Sequence, residues 1–317
     1  GRGESVWLGW FLCAVLSAIE PLARARGEDD RAGRLRLRRL ALAERLDRHA
    51  WDGDRYLRAF YDDGTPLGTA EAAEARIDAI SQAWAVLSGA ADRDRARRAV
   101  DTAWDELVRE EAELALLLAP PFSGERRDPG YIAAYPPGVR ENGGQYAHAA
   151  AWLGMAAAAL GDGGRAHQIF RYLNPIERTR TRERAGRYRT EPYAMAADVY
   201  GVEPHRGRGG WTWYTGSAAW ARRLAVESIL GLRLRGDRMR LAPCLPPEWP
   251  GAELTLRRDG TSHRIVIENP DGTGRGVRRV ELDGRPVADG WIPRARDGAE
   301  HRVRVVLGGG EPAPPGP

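Results

Sequence analysis

The sequence predicts a mainly helical protein that ends in a small all-β module, and three observations carry this. First, Trp84, Trp152 and Trp220 stand 68 residues apart in matching alanine-rich, apolar surroundings. Each belongs to a predicted helix that ends at a glycine, Gly89, Gly161 or Gly231. A repeat of this length built from helix pairs points to an α/α array, part of a helical toroid. Second, Pro243, Pro246, Pro247 and Pro250 end the helical character. Third, apolar and polar residues alternate in Leu254–Arg257, His263–Glu268, Val277–Leu282 and His301–Leu307, the period of strands.

In chain order, residues 5–26 read as an apolar helix ending near Gly27, and 29–50 as an arginine-rich helix with one apolar face at Leu35, Leu42 and Leu46. Trp51–Asp54 and Tyr61–Pro66 supply turns around a short β excursion at Tyr56–Tyr61. Helices are expected at 76–88, 92–109, 145–160, 163–173 and 216–230. Two long irregular stretches intervene, 119–147 and 174–213, the second broken by a helix-like patch near 192–199. Loops of this length in a compact domain are usually functional. Turns at Asp259-Gly260, Asp271-Gly272 and Asp283-Gly284 punctuate the C-terminal strands. The expected division is a helical domain over 1–240, an antiparallel β module over 241–308 and a disordered tail over 309–317.

Composition narrows the function. The 48 basic residues are all arginine, and 44 acids interleave with them, leaving a net charge of +4. Pooled positive charge is the footprint of nucleic-acid binding, and it is lacking here, so nucleic acid is set aside as a partner. Cys13 and Cys244 make neither a metal-ligand spacing nor a disulfide framework, and no metal is expected. The run Trp7–Ile19 imitates a signal-peptide core. Glu4 precedes it, no small-x-small site follows, and it reads as too short to span a bilayer, so a buried helix is expected instead.

The repeat places His148 and the pair Thr215-Gly216 at the same level, the first turn of a repeated helix. Unpaired N–H groups there attract anions, and an imidazole beside them suits phosphate. In the loop Tyr131–His148, Arg140 and Glu141 are candidates to hold sugar hydroxyls or an anion, and Gly143-Gly144 suits close backbone approach to a ligand. Trp211, Trp213 and Tyr214 offer flat faces to sugar rings beside Gly209-Gly210 and Gly216. Glu141, Glu191, Asp198 and Glu203 lie near these loops, and nothing in their spacing selects an acid–base pair. The residues alone thus reach a carbohydrate or anion site at the rim of a helical toroid.

At these motifs the chain resembles the inverting glycoside phosphorylases of the cellobiose and chitobiose phosphorylase type. In particular it is similar to the 1,2-β-oligoglucan phosphorylases and the phosphorylase-like region of cyclic β-1,2-glucan synthases. The matching segments include GRGESVWLGWFL at the start, DDGTPLG at 62–68, RIDAISQAWAVLSG at 76–89, Gly130–His148 with its ENGG, GRGGWTWYTGSAAW within 207–220, and Leu241–Pro250. The resemblance implies an (α/α)6 barrel, of which residues 1–240 would be the back half, followed by a small antiparallel β sandwich. It implies phosphorolysis of a β-linked glucooligosaccharide to glucose 1-phosphate with inversion, inorganic phosphate being co-substrate and no cofactor being required. His148, Thr215 and Gly216 match the phosphate-binding positions, and Tyr135 and Arg140 fall in the loop that contacts the acceptor sugar; Glu141 and Trp213 complete the expected sugar contacts. The family's general-acid aspartate lies in a Trp-Asn-Asp-Gly segment upstream of the stretch matching Gly1, so no catalytic residue is expected within residues 1–317. The missing N-terminal part of the same polypeptide is therefore an expected partner, with a homodimer as a further candidate. The chain alone is expected to be inactive and marginally stable. An inverting hydrolase would need a water-activating carboxylate beside His148, and none is offered. The alternative function is a non-catalytic carbohydrate-binding or chain-length-control module of a cyclic β-1,2-glucan synthase. The expected location is cytoplasmic, or membrane-tethered within such a synthase.

Overall fold

The computed structural model describes residues 1–124 and 127–308; the predicted tail at 309–317 lies outside the described residues. Two compact units emerge. The first holds Gly1–Ala156 and Arg171–Ala221, and the second holds Ala157–Phe170 and the described part of Arg222–Pro314.

Nine α-helices are described: α1 (Val6–Ala25), α2 (Asp29–His49), α3 (Ala79–Leu87), α4 (Arg93–Leu107), α5 (Ala147–Ala159), α6 (Gly163–Leu173), α7 (Pro175–Arg178), α8 (Arg182–Tyr188) and α9 (Thr215–Arg223). In α1, Val6, Trp10, Cys13, Leu16 and Ala23 form one buried stripe, while Leu8, Phe11, Ile19 and Leu22 are exposed. The helix continues past Ile19 through Glu20, Pro21 and Arg24 to Ala25. The 20-residue helix is thus long and apolar enough to cross a membrane by length and composition, which corrects the expectation that it is too short. Nor is it buried on all sides.

The 68-residue repeat has a physical form. Helices α3, α5 and α9 start at Ala79, Ala147 and Thr215, and each repeated tryptophan is the sixth residue of its helix. The three indoles form a ladder, Trp84 to Trp152 and Trp152 to Trp220, with ring centroids 5.4 Å apart at each step and near-perpendicular planes. Trp7 of α1 leans on two of its members, 6.2 Å from Trp84 and 6.0 Å from Trp152. Edge-to-face packing of this kind suits the ring quadrupole.

Helix entry repeats as well. A two-residue strand precedes α1 (Glu4–Ser5), α3 (Ile77–Asp78) and α5 (Gln145–Tyr146), pairing antiparallel with Ala59–Phe60, Leu118–Ala119 and Asp198–Val199. The first N–H of each helix then reaches the carbonyl just ahead of the partner strand: Val6 to Arg58, Ala79 to Leu117 and Ala147 to Ala197, at 3.1, 2.8 and 2.8 Å. Each device satisfies one of the helix-start donors left unpaired by the helix itself. It also explains why 192–199 is not the helix-like patch that the sequence predicts. Asp198–Val199 is committed to the entry of α5, and the helix of this stretch sits earlier as α8, where the Thr181 side chain caps Arg184.

In the second unit, Leu224–Ile229 is a π-helical stretch, and strands begin at Leu232. A three-stranded sheet joins β1 (Leu232–Arg235), β2 (Arg238–Leu241) and β7 (Ile292–Pro293). A five-stranded sheet has the order β3 (Gly251–Arg258), β4 (Thr261–Glu268), β8 (Glu300–Leu307), β5 (Val277–Leu282), β6 (Arg285–Pro286). The four alternating runs are all strands. The sheet is mixed rather than antiparallel, because β8 returns between β4 and β5 and pairs parallel to β4, with Ile265 opposite Val303. A period of two marks a strand and its buried face without stating its neighbour or direction.

One cluster in this sheet is sensitive to pH. His301 bridges two carboxylates, Nδ1 to Asp283 at 2.8 Å and Nε2 to Asp297 at 3.1 Å, and stacks on His263 at 5.2 Å. Asp283 first, then Asp297, raises the His301 pKa against partial desolvation. Burial, and then the charge of His301, lowers that of His263, and Arg294 adds to the lowering. Stability from His301 is therefore complete below its ordinary value of 6.5 and is lost as pH rises through the raised value. Asp283 and Asp297 are held below 3.8 and contribute above it, losing that contribution as pH falls through the lowered values. His263, kept neutral by burial, works the other way, favouring the fold above 6.5. His301→Gln should thus remove the His301-dependent loss of stability as pH rises above 6.5. Melting temperatures of both proteins across that range check it, and parallel curves would contradict it.

Candidate functional site

The predicted site residues gather in the first unit around the entries of α5 and α9. His148 is in the first turn of α5. A Cβ placed on Gly216 would stand 2.7 Å from His148 Nε2, so only glycine lets the two helix starts approach this closely. Thr215 is the first residue of α9 and is exposed beside this contact. Tyr146 and Tyr214 flank the imidazole, with centroids 5.5 and 5.8 Å away. Burial lowers the His148 pKa, opposed by the charge of Glu141. At neutral pH the ring is therefore neutral, able to donate one N–H and accept at the other nitrogen.

A second group adjoins the first through Tyr146. The Arg140 guanidinium lies 5.5 Å from the Tyr135 ring, 6.0 Å from Tyr146 and 5.7 Å from Trp211, within cation–π range of all three. It also approaches Glu141 at 3.6 Å. Arg140 has a positive φ of 49°. Its backbone N–H donates to Asp198 Oδ2 at 2.9 Å, which helps hold that conformation. Burial pushes the Asp198 carboxyl up, against the Arg140 N–H and charge that lower it. Among the described residues, Arg140 Nε and Glu141 Oε2 are buried without a hydrogen-bond partner. These are the two atoms that face each other at 3.6 Å, so hydrogen bonds from a ligand would add to an existing ion pair.

Trp213 is placed elsewhere. It is exposed, at a positive φ of 60°, and its indole N–H donates to Glu191 at 3.3 Å while Tyr193 packs edge-on at 5.9 Å. Most of the glycines serve packing rather than ligand approach, which corrects the reading of Gly143-Gly144. A Cβ on Gly143 would meet Pro121 at 2.9 Å, and one on Gly144 would meet Arg140 N at 3.0 Å. Gly210 lies against the Asp198 carboxylate, and Gly209 against Thr190 and Tyr188.

Sequence reasoning missed two residues that build this region, Asn142 and Tyr146, and named Asp198 only as one of four unselected carboxylates. Fully buried Asn142 fastens the long loop, accepting from Phe122 N–H at 2.7 Å and donating to the Phe122 and Tyr135 carbonyls. Asp198 fixes Arg140. Tyr146 joins the two groups, and it had a signal: Asp78, Tyr146 and Tyr214 immediately precede the repeated helices at the same 68-residue spacing. Among the described residues, no group of His, Cys, Asp and Glu could hold a metal ion.

Residues 1–231 match the glycosyl hydrolase 94 superfamily, catalytic domain. The chain is 50% identical over 280 residues, 88% of its length, to the cyclic β-(1,2)-glucan synthase NdvB of Rhizobium meliloti (strain 1021), covering 10% of that protein. It is 33% identical over 312 residues, 97% of its length, to the N,N'-diacetylchitobiose phosphorylase of Vibrio proteolyticus, covering 38% of it. It is 30% identical over 309 residues to the solabiose phosphorylase of Paenibacillus borealis, covering 97% of this chain and 40% of that one. The chain therefore spans well under half the length of these curated relatives. A solved sialidase overlaps 80% of this chain and 23% of its own, with a TM-score of 0.52 at 17% identity, a likeness of fold alone. Every expected phosphate and sugar contact, from Tyr135 to Gly216, falls inside the matched span, and on that match the chain belongs to the glycosyl hydrolase 94 superfamily.

Proposed function

We propose that the chain forms the phosphate- and sugar-contacting part of an inverting phosphorylase acting on β-linked glucooligosaccharides, β-1,2-glucan in particular. The observation that carries this is the approach of His148 Nε2 to Gly216, two helix starts meeting at a neutral imidazole. His148, the Thr215 hydroxyl and the N–H groups at Thr215-Gly216 hold inorganic phosphate. Tyr135, Arg140 and Glu141 hold the sugar, with Trp213 at the margin. A phosphate oxygen attacks the anomeric carbon from the face opposite the leaving group. The glycosidic C–O bond breaks, its electrons pass to the leaving oxygen, and glucose 1-phosphate forms with inversion. Phosphate is itself the nucleophile, so the chemistry needs one carboxylic acid to protonate the leaving oxygen and no second carboxylate to activate water. Neither Glu141 nor Asp198 is free for that task, one beside Arg140 and the other bonded to its backbone. The acid is assigned to polypeptide outside residues 1–317. No metal or organic cofactor enters the scheme. We further assign residues 1–240 to the back half of an (α/α)6 barrel and 241–308 to a separate β module. The working location is the cytoplasm, with a membrane tether if the chain is part of a glucan synthase.

The test is release of glucose 1-phosphate from β-1,2-linked glucooligosaccharides, by this chain and by the longer polypeptide that contains it. The longer protein should turn over only with phosphate present, and this chain should bind phosphate without turnover. Phosphate-dependent turnover by this chain alone would overturn the assignment of the acid. The 50% identity to a glucan synthase favours a second reading, a carbohydrate-binding or chain-length-control module. Under it, the longer protein binds the glucan and releases no glucose 1-phosphate.

A further inference from the structure

We infer that a groove beside the His148 and Arg140 groups is a further sugar subsite, which takes the outer units of a glucan chain longer than a disaccharide. The inference rests on the carbohydrate reading above and extends it to chain length. The groove has a volume of about 580 Å³ and is lined by Arg189, Glu191, Tyr200, Arg208, Trp211 and Thr212, among others. That size is ordinary for a ligand site. Its whole lining lies within the first unit.

Three features favour a sugar chain as occupant. The first is continuity. Trp211 lines the groove and also lies 5.7 Å from the Arg140 guanidinium, so a chain held at Arg140 has this indole as its next surface. Trp211 is 73% exposed, an unusual state for so large an apolar ring and one that leaves its face open to stacking. The second is the mixture of donors and acceptors. Arg208 makes no side-chain hydrogen bond or ion pair among the described residues, and Arg189 spends only its Nε, on the Gly186 carbonyl at 3.0 Å. Glu191 supplies a carboxylate, held below its ordinary pKa by its own backbone N–H, Thr212 and Trp213. Sugar hydroxyls both donate and accept, so they match guanidinium and carboxylate together, whereas a polyanion would meet Glu191. The third is backbone conformation. Arg189, which lines the groove, and Trp213, the residue next to its lining residue Thr212, hold positive φ values of 55° and 60° while their side chains remain exposed. Such conformations are costly for non-glycine residues, and burial of the side chain does not offset them here. The one at Arg189 closes α8, its N–H donating to the Ala185 carbonyl, whereas the one at Trp213 is of the kind held at binding positions.

The test is calorimetric binding of a linear β-1,2-linked glucose disaccharide and pentasaccharide, with inorganic phosphate as a third probe. The natural chain should bind the pentasaccharide more tightly than the disaccharide. Arg208→Ala and Arg189→Ala should each weaken the pentasaccharide about tenfold and leave the disaccharide and phosphate unchanged, as expected for a lost hydrogen bond to a charged group. Both positions are exposed, so the variants should melt with the natural chain; Arg208→Gln, should Arg208→Ala melt early, must show the same loss. If phosphate and disaccharide bind but the pentasaccharide binds no tighter, or the variants weaken both sugars alike, the subsite is wrong and the proposed function stands. If none of the three probes binds, the proposed function fails and this inference with it.

Discussion

Gly216→Ala should lower phosphate affinity about 100-fold, the equivalent of two charge-assisted hydrogen bonds. The new methyl group would fall 2.7 Å from His148 Nε2, inside any tolerable contact, so the imidazole or the start of α9 must move. His148 cannot retreat freely, because Tyr146 and Tyr214 flank it and Trp152 lies 6.1 Å behind. The substitution therefore separates the imidazole from the Thr215-Gly216 N–H groups without removing either. Gly33→Ala is the control: it sits in α2, where an added Cβ meets nothing within 4 Å. Titration with phosphate, read by calorimetry, measures both. An affinity within roughly threefold of the natural chain for Gly216→Ala would remove His148 and Gly216 from the proposed phosphate site.

Trp84→Ala should destabilise the first unit by about 3–5 kcal/mol, the range for deleting a buried indole. Trp84 is buried and touches Phe11 at 5.0 Å, Trp152 at 5.4 Å and Trp7 at 6.2 Å, so it ties α1 to the repeated helices. Its deletion opens a space that three large rings cannot close by small shifts. Trp220→Ala, at the more exposed end of the ladder, should cost less. Denaturant unfolding followed by tryptophan fluorescence compares them, and a smaller loss for Trp84 than for Trp220 would contradict the ladder as a structural spine.

Much of this was legible from spacing. The starts of α3, α5 and α9, the ladder of Trp84, Trp152 and Trp220, and the grouping of His148 with Gly216 all follow from one 68-residue period. A helix start is a local event with a local signature, and a repeated one fixes which residues share a level. The hairpin turns at Asp259-Gly260 and Asp283-Gly284 were legible for a similar reason. Both residues of each pair have positive φ, which few residue types tolerate.

The rest depended on contacts between distant parts of the chain. The sequence marked β4 and β8 as strands, but only the return of β8 between β4 and β5 made the sheet mixed. The apparent helix at 192–199 gave way because Asp198–Val199 completes the entry of α5. Tyr146, Asp198 and Asn142 were ordinary residues in the text of the chain, and became site builders through Arg140, the Phe122 backbone and the His148 ring. Trp213, grouped with the sugar contacts by its neighbours in sequence, was carried off to Glu191 by a left-handed backbone. Periodicity and turn chemistry, which act within a few residues, were therefore determined by the sequence alone. Partner strands, buried polar bonds and the direction of each aromatic face were decided only in the tertiary structure, because they depend on which distant group arrives within about 3 to 6 Å.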